Sequence, residues 1–65
     1  MSRKSVVKKR IKELGITHRQ IAHYCALSIS NLELWIDGKA IIPYSNLVRI
    51  AHLLDLEPDE LVELV

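Results

Sequence analysis

Three histidines, one cysteine and a short run of small polar residues are the side chains in this 65-residue chain that could do chemistry. His18, His23 and His52 lack the close ligand spacing of a zinc site, and Cys25 adds a single thiol to them. Cys25 follows Ile21 by four residues, on the inward face of a helix, and no base is evident for it. It reads as a small core residue and not as a nucleophile. No arrangement suggests catalysis, so the expectation is a non-enzyme without metal or cofactor. The remaining chemistry is recognition. Ser30 and Asn31 can each donate and accept hydrogen bonds.

Those residues need a helix to present them, and the local signals supply it. Thr17 is an N-cap, Gln20 completes a capping box three residues on, and Ile16 with Ile21 has the spacing of a hydrophobic staple. After a break at Ala26-Leu27, Ser28 starts a second helix with Leu27 and Leu32 as its staple, and Gly38 ends it. The spacing predicts helices over 17–26 and 28–37. Another helix runs from about Ser5 to Leu14, with Val7, Ile11 and Leu14 on one face and Gly15 as its stop. A fourth begins near Pro43 and continues through Leu47, Ile50, Ala51 and Leu54. The fifth begins at Pro58, where Asp59 and Glu60 suit the dipole of a first turn, and turns Leu61 and Leu64 inward. Trp35 belongs to the core, and His23 and Tyr24 to the outer side of their helix.

Composition narrows the class. The chain is 49% apolar without a single Phe, has no alternating run suited to a strand, and forms one domain over 1–65. It lacks the run of ~18 apolar residues of a membrane span. Its basic N-terminus has no signal-peptide core. One cysteine fits a reducing compartment, so a cytoplasmic protein is expected. The net charge of +1 hides an asymmetry. Residues 1–20 carry seven cations (Arg3, Lys4, Lys8, Lys9, Arg10, Lys12, Arg19) against Glu13, whereas residues 21–65 carry Lys39 and Arg49 against seven acids. A basic arm over 1–4 and a basic first helix suit phosphate contacts, because neutralising phosphates releases condensed counterions.

Ile-Thr-His-Arg-Gln-Ile-Ala at 16–22, Leu27-Ser28 with Leu32, Trp35 and Gly38, Leu47 with Ile50-Ala51 and Leu54, and Leu56 with Asp59-Glu60-Leu61 share one ungapped spacing. In that spacing the chain resembles the lambda-repressor-like, Cro/repressor type of helix-turn-helix domain over roughly residues 5–64. The resemblance implies an all-α, compact five-helix bundle and a sequence-specific DNA-binding transcriptional regulator, a repressor or activator working as a homodimer on double-stranded DNA. Its small size suits a phage or mobile-element protein. By the same resemblance, helix 28–37 enters the major groove. His18 replaces the family's Gln at the start of helix two, and Ile29, Ser30 and Asn31, then Glu33 and Leu34, then Asp37, occupy the exposed positions of the recognition helix. Ser28 and Arg19 flank them. Phosphate contacts fall to Lys39, Tyr44, Ser45 and Asn46, with Arg3, Lys4 and Lys8 from the basic segment.

The departures from the family pattern are specific. The recognition helix carries no Arg, Lys or Gln, the side chains suited to bidentate base contacts. Ile29 and Leu34 can pack on thymine methyls, and Glu33 and Asp37 repel phosphates unless Glu33 accepts from a cytosine amino group. Ile36 replaces the Glu that links to a helix-one Arg. Ala26 replaces the turn Gly, at a cost of roughly 1–2 kcal/mol if its backbone is left-handed. These changes motivate a second expectation, a protein-interaction module docking a sister regulator or polymerase subunit through Ile29 and Leu34. Leu61, Val62, Leu64 and Val65 leave apolar groups on several sides of the C-terminal turn, suited to a two-fold contact.

Overall fold

The computed structural model describes residues 2–63, and the readings made for Leu64 and Val65 lie outside it. Five helices make up the regular structure among the described residues: α1 (Arg3–Leu14), α2 (His18–Cys25), α3 (Ile29–Ile36), α4 (Tyr44–Leu53) and α5 (Pro58–Glu63). No helix among them is long and apolar enough to cross a membrane.

Local chemistry sets most of the boundaries. The Thr17 hydroxyl accepts from the Gln20 N–H at 3.1 Å while the Gln20 side chain accepts from the Thr17 N–H at 2.8 Å, closing the capping box. Ser28 caps α3 by accepting from the Asn31 N–H at 3.0 Å. At the other end of α3, Lys39 N–H donates to the Leu34 carbonyl and Gly38 N–H to that of Trp35. That paired pattern requires a left-handed residue after the cap, and Gly38 supplies it at φ +77°. Two stops use non-glycine residues in the same conformation, Ala26 at φ 55° and Asp55 at φ 57°.

The start of the chain differs from the sequence reading. α1 begins at Arg3 instead of Ser5, because Ser2 caps it by accepting from the Ser5 N–H. Arg3 and Lys4 are therefore helical, and residues 2–4 form no arm. Leu14, expected on the buried face, is 41% exposed at the last turn of α1. Pro43 stands one residue outside α4 as its cap, with no side-chain hydrogen bond there.

The core draws on every helix: Val7 from α1, Ile21, Ala22 and Cys25 from α2, Leu32, Trp35 and Ile36 from α3, Leu47, Ile50 and Ala51 from α4, and Leu61 from α5. Ile42 and Leu54 join them from the connecting segments. Ile16, Leu27 and Ile11 pack against its edge. Arg10 latches α1 across this core. Its Nε donates to the Leu54 carbonyl at 2.9 Å, and its remaining nitrogens lie 3.3 Å from Glu13 and 3.7 Å from Asp55. The latch occupies an orphan carbonyl at the end of α4, where a cation also meets the favourable end of the helix dipole.

Candidate nucleic-acid interface

α2 and α3 are joined by only three residues, Ala26 to Ser28, so the direction of α3 depends on the turn. Leu27 N–H donates to the Ala22 carbonyl at 2.9 Å across the left-handed Ala26, and this bond fixes the turn. A second tie comes from α4, where the Asn46 side-chain amide donates to the Cys25 carbonyl. Leu32, Trp35 and Ile36 bury one side of α3. The opposite side carries Ile29, Ser30, Glu33 and Leu34, all exposed.

Side chains on that side follow the helical rotation. Ser30 lies about 100° and Leu34 about 140° round from Ile29, so the hydroxyl sits between the two aliphatic groups. Asn31 lies about 60° beyond Leu34, toward the buried Trp35 edge. By the same rotation Ile29 lies about 20° from the buried Ile36 and Asn31 about 40° from the buried Trp35, so these two exposed side chains flank the face on either side.

The two acids of α3 are met by groups from its neighbours. His18 Nδ1, at the start of α2, lies 3.2 Å from Glu33 Oε2. Lys4 Nζ, from α1, lies 3.6 Å from Asp37 Oδ1. His18, Glu33 and Asp37 line a cleft of about 250 Å³ with Lys8 and Ile36. Packing of α1 against α3 brings Lys4 and Lys8 there. Asp37 thus has a cationic neighbour within the fold, and Glu33 a histidine ring nitrogen at hydrogen-bond distance.

The expected contact residues separate into three groups. Arg19, Ser28, Ile29, Ser30, Asn31, Leu34, Lys39, Tyr44 and Ser45 are exposed on or beside α2, α3 and the entry to α4, and Lys8 is exposed at the cleft. His18 and Lys4 belong to the same region but face acids of α3. Arg3 and Asn46 stand apart from these in making contacts within the fold. Arg3 lies over the Trp35 ring, 4.8 Å from its centroid, and donates to the Trp35 carbonyl at 2.7 Å. It is engaged in joining α1 to α3 instead of reaching outward. Asn46 is half-buried and gives its side-chain amide to the end of α2.

Arg3 of α1 thus holds α3 through a backbone carbonyl and an indole face. No local signal announces this, since the partners are 32 residues apart. The Arg10 latch, spanning 44 residues, was missed for the same reason.

Cys25 is 1% exposed, and burial pushes its thiol above its ordinary pKa, against a smaller opposing pull from Arg49. A buried, protonated thiol is a poor nucleophile. Among the described residues, no group of three or more His, Cys, Asp or Glu side chains could hold a metal ion. Compared with protein-family models, with curated proteins and with solved structures, the chain matches none.

Proposed function

We propose that the chain is a helix-turn-helix DNA-binding regulator of transcription, of the Cro/repressor kind, which inserts α3 into the major groove. The observation that supports it most is the pairing of α2 and α3 through a three-residue turn, with α3 offering one solvent-facing side whose acids are met by His18 and Lys4. The Lys4 ammonium beside Asp37 offsets part of one of these charges, and His18 holds the Glu33 carboxylate in place. Ser28, Ile29, Ser30, Asn31 and Leu34 form the reading set. Arg19, Lys8, Lys39 and Ser45 hold phosphates around it, which positions the helix without carrying sequence information. As a homodimer, two copies would address half-sites about 34 Å apart, one turn of the duplex. The same reading puts the protein in the cytoplasm.

A selection from random-sequence duplexes tests this. The protein is expected to enrich one motif, arranged as an inverted repeat with half-sites about ten base pairs apart. A bound pool with no enriched motif contradicts it. One observation favours a second reading, a protein-interaction module. Ile29 and Leu34 are 38% and 42% exposed on a face without a cation. An unenriched pool would turn the account to that reading.

A further inference from the structure

The connection between α3 and α4 holds an isoleucine out in water. Ile41 is 98% exposed, while Ile42 beside it is buried. One exposed aliphatic side chain is ordinary on a protein surface. Here it stands at a groove of about 240 Å³ that Tyr44 and Val62, both more than half exposed, also line, over a floor of Trp35, Ile42 and Leu47. The groove joins the α3–α4 connection, the first turn of α4 and the last turn of α5. Leu61, one of the apolar residues of the C-terminal turn suited to a two-fold contact, is wholly buried, whereas Val62 lines this groove. A contiguous exposed apolar patch of this kind marks an interaction surface.

Shape and charge both point to a second copy of the chain as its occupant. The patch carries a projecting side chain, Ile41, and a hollow large enough to take one, so it complements itself about a two-fold axis. Its two edges differ in sign. Lys39, exposed, precedes the wall made by Ala40, Ile41 and Ile42. Asp59, also exposed, lies three residues before Val62 and so on the same side of α5. A two-fold axis through the groove turns the Lys39 edge of each copy onto the Asp59 edge of the other. The Lys39 ammonium has three donors and can meet a phosphate as well. We infer that this groove is the contact surface of a homodimer, with Ile41 of each copy seated in the groove of the other against Tyr44 and Val62, and with Lys39 facing Asp59 of the second copy. Apolar patches of about 300–600 Å² on each copy bury at most about 1,200 Å² together, the low end for a specific interface, so the dimer is weak and reversible. The inference rests on the DNA-binding reading for the dimer's use, and its test needs no DNA.

Sedimentation equilibrium of the full chain without DNA, over about 10–500 μM to span a weak association, tests this. The mean mass is expected to rise from that of one chain, 7.5 kDa, toward twice that value. Ile41→Asp, at a position the fold leaves in water, should hold the single-chain mass throughout the range. Leu34→Asp, on the exposed side of α3, should associate as the native chain does. Lys39→Asp and Asp59→Lys should each weaken association about fivefold, and the two together should restore it, as expected only where these residues face one another across the contact. A single-chain mass at every concentration overturns the inference, as does a dimer that survives Ile41→Asp or is lost with Leu34→Asp. None of these results touches selective binding. The DNA-binding reading falls instead if the selection from random duplexes enriches no motif.

Discussion

At the scale of single residues, the positions that set the geometry are those whose backbone departs from what their side chains favour. Ala26 holds φ 55°, ψ 40° at the end of α2. A β-carbon in that conformation crowds the following carbonyl, at a cost of about 1–2 kcal/mol. The cost is tolerated because the Leu27 to Ala22 bond and the Asn46 to Cys25 bond both depend on that turn. Ala26→Gly should therefore stabilise the protein. Relief of strain exceeds the added flexibility of an unfolded glycine, leaving a net gain of about 0.5–1 kcal/mol in urea denaturation. A loss of stability would mean that the strain assigned to Ala26 is not there. The helix-turn-helix resemblance made this residue conspicuous, since that pattern has glycine at the turn, the residue a left-handed backbone favours. It could not reveal that Asn46, which looks like a phosphate ligand, serves the same turn.

At the scale of elements, the three-helix unit of α2, α3 and α4 owes its arrangement to a few polar ties over a shared apolar core. The expected Leu47, Ile50, Ala51 and Leu54 series is buried throughout, as are Ile21, Cys25, Leu32 and Trp35. Apolar periodicity is a local property of the chain, and for this reason the helices and their inward faces were legible before the fold. Contacts of Arg3 with Trp35 and of Arg10 with Leu54 were not, because they join segments far apart in sequence. The sequence alone shows both arginines only as two of the seven cations of residues 1–20. Asn46 gives the clearest test at this scale. Asn46→Ala removes a side chain–backbone bond at the α2–α4 junction and should cost about 1 kcal/mol of stability, the usual net worth of such a bond. Salt-dependent binding to random DNA should stay unchanged, as expected of a side chain committed inside the fold. A variant of native stability with a reduced salt slope would return Asn46 to the phosphate contacts.

At the scale of the whole molecule, the asymmetry of charge acquires a direction. α1, which carries most of the cations, packs on α3, while α5 packs on α4. The acids Asp55, Glu57, Asp59 and Glu60 are exposed at the α4–α5 connection and the start of α5. A charge distribution of this kind steers an approaching polyanion toward one side of the protein. On the proposed DNA-binding reading it also sets a baseline, since cations that contact phosphates bind any duplex and lose it as salt rises. The central claim is that α3 adds selective recognition to that baseline. The most direct test is a competition between a selected duplex and its scrambled counterpart, followed by fluorescence anisotropy across a range of salt. The account predicts that the selected duplex stays bound at salt concentrations that release the scrambled one. If both are released together, the cations act alone and α3 reads nothing in DNA.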